Sequence, residues 1–245
     1  IMIKNKLSII TSTYEAENYI FRLIKSLKIN ELYIHEWIVI DNFSTDSTIS
    51  IIKKFNFNFK LRIIKKKTSI YEAFNEGIKL LSSKFYMILG ADDYLLDNGI
   101  SIFFKNYKLK SDIFLYVLPT LINGKIVNKK YDNLSIFGAS HLVNSHSAGL
   151  IINKLTHDKV GFYSTKYFFA SDSDFIIKIF KKKLNIKRIK IPIGCFGTSG
   201  STNKNNNLNK ILIENYKIML NNDFSLITQT IILILRFIKN SYRFF

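Results

Sequence analysis

The sequence is poor in the residues that staple or interrupt chains. One cysteine, Cys195, among 245 residues excludes a disulfide scaffold and a cysteine-based zinc site, and it fits a reducing compartment. Two prolines and ten glycines exclude a collagen-like or Pro/Gly-rich linker protein. The four histidines, His35, His141, His146 and His157, are scattered without H-x-x-x-H spacing, which argues against a zinc hydrolase. No G-x-G-x-x-G follows the first apolar run, and there is no P-loop and no G-x-S-x-G elbow. Dinucleotide-dependent hydride transfer, P-loop phosphoryl transfer and elbow-type serine hydrolysis are therefore not expected. Long hydrophobic runs are also missing. The longest, Thr230–Ile238, is interrupted by Arg236 and falls short of the roughly 20 residues that a bilayer span needs. Ile1–Lys6 has no apolar stretch of signal-peptide length, so secretion is not expected. Acidic residues are scarce too: 18 Asp+Glu stand against 36 Lys+Arg, a net charge of +18.

What is present is apolar and basic. Hydrophobic residues at 47% and aromatics at 14% exclude intrinsic disorder. The charge points to an anionic partner: nucleic acid, an anionic membrane or a phosphorylated small molecule. Enrichment in Lys, Asn, Ile and Phe is equally what AT-rich coding DNA produces, so the charge alone does not choose. No RRM, KH or zinc-finger signature accompanies it, which places RNA binding below the other readings. At the end of the chain, Lys239, Tyr242, Arg243, Phe244 and Phe245 adjoin the apolar run. That combination suits a helix lying in a membrane interface; a helix packed on the domain accounts for it as well.

Apolar runs at Leu7–Thr11, Trp37–Ile40, Leu61–Ile64 and Phe85–Leu89 predict strands. Between them, helical spacing predicts helices over Ala16–Lys28, from Ile49 to Phe55, and along Ile70, Ala73, Phe74, Gly77, Ile78 and Leu81. This βαβαβαβ order implies an α/β fold, a mostly parallel sheet with helices on both faces. Ligands of such sheets sit at the carboxyl ends of the strands, so Ser12–Glu15, Asp41–Asp46, Lys65–Ser69 and Asp92–Asp93 are the segments to watch. Further on, Ile113–Leu118 and Ala148–Ile152 read as strands, Asn123-Gly124 as a hairpin turn, and Ile186–Ile193 as a basic edge strand. A helix follows Asp172-Ser173-Asp174, and two more, about Leu208–Leu220 and Phe224–Lys239, finish the chain. Three acidic features stand out against the basic background: Asp41 with Asp46, Asp92 with Asp93, and Asp172 with Asp174. The residues alone leave three uses open: divalent-metal ligation, general-base chemistry, and the capping of turns and helices.

These segments carry a resemblance. Ser8–Tyr14 (SIITSTY) and Ile38–Thr48 (IVIDNFSTDST) resemble the S-I-I-x-P-T-Y-N and V-D-D-G-S-T-D-G-T openings of family 2 glycosyltransferases. Ile70–Ile78 (IYEAFNEGI) is similar to the I-Y-D-A-M-N-K-G-I segment of a subgroup that builds bacterial surface polysaccharides. Leu89–Asp93 (LGADD) stands at the D-x-D element, Ala170–Phe175 (ASDSDF) resembles A-x-D-Y-D-[LF], and Phe196–Thr202 resembles F-x-x-G-G-x-S. The six segments occur in family order over about Leu7–Thr202.

The resemblance implies a GT-A nucleotide-diphospho-sugar transferase fold over 1–205, with a helical appendage over 206–245 that is a candidate for membrane contact. It implies inverting transfer of a sugar from a nucleotide-diphosphate donor to a lipid-linked or polysaccharide acceptor in cell-surface polysaccharide (lipopolysaccharide-type) biosynthesis. The alternative is a non-catalytic basic protein that binds anionic membrane or RNA. Asp92 is implied as ligand of Mn²⁺ or Mg²⁺, with Asp93 beside it, and Asp172 rather than Asp174 as the catalytic base. Tyr14 is implied to stack on the nucleobase, Asp41 to hydrogen-bond it and Ser12 to line its pocket, with Glu15, Lys67, Ser69 and Ala91 also along the donor. No nucleic-acid partner is implied, and the expected location is cytoplasmic, peripheral at the inner face of the bacterial plasma membrane. The chain departs from the pattern at several points. Ser12 stands for Pro, Glu15 for Asn, Gly90 for the first Asp of D-x-D, Lys67 for Asp, Ser69 for Gly, Ser199 for Gly and Thr202 for Ser.

Overall fold

A computed structural model describes residues 6–127, 133–141, 147–198 and 207–241. Its first part alternates β1 (Leu7–Thr13), α1 (Ile20–Ile29), β2 (Ile34–Asp41), α2 (Thr48–Lys53), β3 (Lys60–Lys65), α3 (Ile70–Leu80) and β4 (Phe85–Ile88). β1 runs parallel to β2 and β4, and β2 parallel to β3. β1, β2 and β4 are buried along almost their whole length, which is why they read as unbroken apolar runs rather than alternating ones.

The chain continues through β5 (Tyr94–Leu95), α4 (Gly99–Asn106), β6 (Leu115–Val117), β7 (Thr120–Ile122), β8 (Lys125–Val127), α5 (Leu134–Phe137) and β9 (Leu150–Asn153). It ends with α6 (Thr156–Val160), α7 (Ser171–Lys181), β10 (Ile186–Arg188), β11 (Gly194–Phe196), α8 (Leu208–Asn221) and α9 (Leu226–Ser241). The main sheet has the order β10-β6-β9-β4-β1-β2-β3, with β9 antiparallel to both neighbours. A second sheet has the order β5-β11-β7-β8. Asn123 and Gly124 turn the β7–β8 hairpin with φ of 48° and 75°, the positive pair that a type I′ turn requires.

Alternate residues of the strands feed two cores. Ile10, Ile38 and Ile40 pack with α3, α7 and α8, whereas Ile9, Trp37 and Val39 pack with α1 and α4. Gly77 lets α3 lie close on β1, since a Cβ there would stand 2.6 Å from Ile10 Cγ2. The helical end is bound into this body: Ile218 and Met219 of α8 belong to the same core as α7.

Some observed elements differ from the sequence expectations. α1 starts at Ile20 rather than Ala16, because the amides of Ala16 and Glu17 are taken by Thr48 Oγ1 and Asp46 Oδ2. α4 is an additional helix; only Gly99, Ile100 and Phe103 of it are buried, too few to show a period. The basic edge strand pairs only over Ile186–Arg188, at the sheet edge as expected, after which the chain leaves to form β11 in the second sheet.

α9 combines both readings of the terminal run. One face packs on α5, where Gln229 Nε2 and Arg236 Nη2 donate to the carbonyls of Ser135 (2.7 Å) and Ile136 (2.8 Å). The other leaves Ile227, Ile231, Ile234, Leu235 and Ile238 exposed. Among the described residues no helix is long and apolar enough to cross a membrane.

Candidate active site

The carboxyl ends of β1 and β2 are joined by a reciprocal set of hydrogen bonds. Glu15 N donates to Ser44 Oγ (3.0 Å), and Thr45 N donates back to Glu15 Oε1 (2.9 Å). Glu17 N donates to Asp46 Oδ2 (3.0 Å), and Ser47 N donates back to Glu17 Oε2 (2.9 Å). Glu15 adopts φ 47° to reach across. Asp41, at the end of β2, is buried; its Oδ1 accepts from the Ser44 hydroxyl (2.6 Å) and its Oδ2 from Ser44 N (3.1 Å). It shapes the turn from within, and the residues that reach solvent beside it are Tyr14, 61% exposed, and Phe43, 54% exposed. Ser12 is half-buried on the same edge.

The segment after β3 joins this edge through Thr68 N, which donates to Asn42 Oδ1 (3.1 Å). Lys67 is exposed, with no ion pair among the described residues. Ser69 has a structural task beyond any donor contact: it caps α3 in a capping box with Glu72, whose Oε2 accepts from Ser69 N and Oγ at 2.8 Å each.

After β4 the two aspartates separate. Asp93 is 1% exposed; its Oδ2 accepts from Gly90 N (2.7 Å) and its Oδ1 from Gly197 N (2.8 Å). Burial pushes its carboxyl up to about 7. Both oxygens being committed to backbone, Asp93 ties the β4 turn to the end of β11 and does not fit the expected role of metal ligand. Asp92 is half-buried and lines a cavity of about 360 Å³ with Asn18, Arg22, Tyr94 and Thr198. Arg22 lies over the Tyr94 ring, 3.5 Å from its centroid. Ala91 packs against the α1 face of the core. Gly197 leaves room at Asp92, since a Cβ there would collide with the Asp92 carboxylate.

That space fits a divalent cation of the Mn²⁺ or Mg²⁺ kind. Such an ion takes one or two carboxylates and completes its shell with substrate phosphate and water. Among the described residues no group of three or more His, Cys, Asp or Glu gathers to cage a metal, and Asp92 is the acidic side chain of the cavity that would be offered to such an ion.

Asp172 occupies the first turn of α7. Its Oδ1 accepts from Ser173 N (2.8 Å) and from the Tyr71 hydroxyl (3.2 Å), which also donates to Phe169 O (3.0 Å). Burial raises the Asp172 carboxyl above the ordinary aspartate value. A raised carboxyl binds a proton more readily, which suits a base as long as it is ionised at the working pH. Behind it, Tyr71, Tyr163, Phe175 and His157 form an aromatic cluster with neighbouring centroids 4.7–6.0 Å apart. Asp174 faces elsewhere. Its oxygens are held by Lys178 Nζ (2.6 Å) and Asn222 Nδ2 (2.9 Å), partners that Asp172 does not share. A cavity of about 820 Å³ lies at the opposite end of α7, beside Lys181, Leu184 and Phe224.

Tyr71 lies beside the α3 stripe and its ring is buried; its hydroxyl on Asp172 is a contact that only the structure shows. Glu214 of α8 was not singled out at all, although it binds the backbone just ahead of Asp172. His146 and part of the Phe196–Thr202 segment lie outside the described residues.

The profile of Glycosyl transferase family 2 matches residues 8–200. A dolichyl N-acetyl-α-D-glucosaminyl phosphate 3-β-D-2,3-diacetamido-2,3-dideoxy-β-D-glucuronosyltransferase of Methanococcus voltae is 32% identical over 173 residues, covering 65% of this chain and 50% of that protein. The poly(ribitol-phosphate) β-N-acetylglucosaminyltransferase TarS of Staphylococcus aureus is 30% identical over 95 residues, 37% of this chain and 17% of that protein. The chain thus spans half the length, or less, of these curated relatives. Among solved structures, S. aureus TarS 1–349 in complex with UDP-GlcNAc superposes with a TM-score of 0.65 at 18% identity, over 93% of this chain and 70% of that one. A Pyrobaculum calidifontis mannosyltransferase in complex with GDP-Man and Mn²⁺ gives 0.64 at 15% identity, over 93% of this chain and 68% of that one. The described sheet and its helices are a GT-A fold, and with the family profile running from β1 past β11, the chain belongs to Glycosyl transferase family 2.

Proposed function

We propose that this chain is an inverting glycosyltransferase that moves a sugar from a nucleotide-diphosphate donor to a hydroxyl of a lipid-linked or polysaccharide acceptor in cell-surface polysaccharide synthesis. The observation that carries the reading is the division of labour among the aspartates: Asp92 opens on a cavity, Asp172 is held on one oxygen only, and Asp93 and Asp174 are committed to structure.

Tyr14 offers its exposed ring to the nucleobase. Stacking of that kind accepts several bases and fixes orientation rather than identity. Ser12 and the 42–48 turn shaped by Asp41 border the same edge. Asp92 would hold the divalent ion, which when bound offsets the charge growing on the departing nucleoside diphosphate. Asp172 Oδ1 is occupied by Ser173 N and Tyr71, and Oδ2 takes the proton of the acceptor hydroxyl as its oxygen attacks the anomeric carbon. One displacement without a covalent intermediate inverts that centre. The exposed apolar face of α9, whose charged residues are only Arg236 and Lys239, is the surface that would rest on anionic lipid at the inner face of a bacterial plasma membrane.

The test is release of nucleoside diphosphate from a panel of sugar nucleotides, with Mn²⁺ and with EDTA, by wild type and Asp172→Asn. Metal-dependent release that falls by about 10²–10⁴ in the variant is the expected result. No release and no nucleotide binding with any donor refutes the function; full activity of Asp172→Asn refutes the base. Co-sedimentation with phosphatidylglycerol against phosphatidylcholine vesicles checks α9, and equal recovery of wild type and Ile231→Asp/Ile234→Asp refutes its role.

A further inference from the structure

The stretch that leads into α7 has no regular structure of its own, yet three of its successive amides are satisfied by one side chain. Glu214 Oε1 accepts from Phe168 N (2.8 Å), and Oε2 accepts from Phe169 N (2.8 Å) and Ala170 N (3.0 Å). The same stretch is gripped from its carbonyl side. Phe169 O accepts from the Tyr71 hydroxyl, and Ala170 O accepts from Ser173 N (3.0 Å) and opens the first turn of α7. Backbone amides ahead of a helix have no partner within it, and an ionised carboxylate is the strongest acceptor available for them. A single residue of α8 therefore decides where the chain enters α7.

We propose that Glu214 is the positioning residue for Asp172: by holding the amides of residues 168–170 it sets the place of the Asp172 carboxylate against Tyr71 and the acceptor side of the site. The inference rests on the reading of Asp172 as base. Glu214 also acts through its charge. The titratable groups that face Asp172 are the Tyr71 hydroxyl from α3, Tyr163 from the loop before α7, and Glu214 from α8; on α7 itself Asp174 is paired with Lys178. Glu214 is the anion among the three, and its repulsion adds to burial in holding the Asp172 carboxyl up. Glutamine at 214 removes that charge and sets an amide N–H against one of the three backbone N–H groups. Alanine at 214 removes the whole clamp.

The experiment is a carboxyl ¹³C titration of aspartate-labelled protein, with Asp172→Asn to assign the resonance, beside amide exchange at residues 168–170. Glu214→Gln is expected to move the Asp172 midpoint down and to leave part of the exchange protection; Glu214→Ala is expected to abolish protection at all three amides. With UDP-GlcNAc or GDP-mannose as donor, kcat is expected to fall by about 10²-fold while the donor KM is unchanged, the cost of a misplaced reacting group. A merely structural glutamate would lower stability without moving the Asp172 midpoint. Should Glu214→Ala fail to fold, Glu214→Gln retains an oxygen for two of the amides and carries the test. An unchanged Asp172 midpoint and unchanged exchange in Glu214→Gln overturn the proposal. Full turnover by Asp172→Asn instead overturns the base, and the titration still reports whether Glu214 sets its carboxyl.

Discussion

His157 contributes stability that is lost in mild acid, by an amount that the structure bounds. The imidazole is buried against Phe175, Phe162 and Tyr163. Its Nδ1 lies 3.0 Å from the Gly161 carbonyl, which only accepts, so Nδ1 carries the proton and Nε2 accepts from the Tyr86 hydroxyl at 2.6 Å. The neutral ring is thus fully satisfied, and burial lowers its proton affinity from the ordinary 6.5 to about 4. In the unfolded chain His157 takes up a proton near pH 6.5, whereas the native chain resists until about pH 4. Between those values the unfolded state binds the extra proton, so stability drops as pH falls. At 1.36 kcal/mol per pH unit, the window costs about 3 kcal/mol. Buried Asp93 and half-buried Asp172 act in the opposite sense, since their raised carboxyls favour the native state as pH falls. The perturbation that isolates the histidine is His157→Gln, because the carboxyls are common to both proteins. Urea unfolding from pH 7.5 to 4 is expected to show the variant less stable at neutral pH by about 1–3 kcal/mol, and the difference shifting in the variant's favour by roughly 3 kcal/mol toward pH 4. A gap that stays constant across the window refutes the reasoning.

Three further outcomes follow from the geometry. Asp92→Ala should weaken Mn²⁺-dependent binding of UDP or GDP by at least roughly 10-fold and leave binding in EDTA unchanged, as calorimetry would show. Tyr14→Ala should lower nucleotide affinity by about 1–3 kcal/mol for uridine and guanosine diphosphates alike, read by the same titrations. Gly77→Ala should destabilise the fold by roughly 1–3 kcal/mol in urea unfolding, although Ala for Gly in an ordinary helix stabilises by about 1 kcal/mol, because the new Cβ meets Ile10.

The half of the fold that was legible is the half whose signals are local. β1, β2 and β4 announced themselves because burial on both faces makes them nearly apolar throughout, and α3 because Ala73, Phe74 and Ile78 share one buried face. In the small sheet β5-β11-β7-β8 only the β7–β8 hairpin has a local signal, Asn123-Gly124; β5 and β11 are strands of two or three residues that pair over long separations, too short to carry a period. The strand-end aspartates were legible as a group, but their tasks were not. Asp93 and Asp92 are adjacent in sequence, and only the backbone amides of Gly90 and Gly197 separate a structural carboxylate from one that faces a cavity. Asp172 and Asp174 divide in the same way through Asn222 and Lys178. Ser69 illustrates the converse: its S-x-x-E spacing with Glu72 is a cap signal readable in sequence, hidden because a glycine was expected there. Glu214 lies on a helix with no motif, and its partners are main-chain amides 44–46 residues away, a contact that no side-chain pattern encodes.

The reciprocal bonds between residues 15–17 and 44–47 change the thermodynamics of whatever binds at that edge. Two loops that would otherwise have to be ordered by a ligand are already ordered by each other, so their loss of conformational freedom is charged to folding. Association at the Tyr14 end should carry a small entropic penalty and little slowing from loop closure. Glu15 and Glu17, anions at the edge proposed for an anionic donor, are tolerable there because their carboxylates accept from amides of the neighbouring loop.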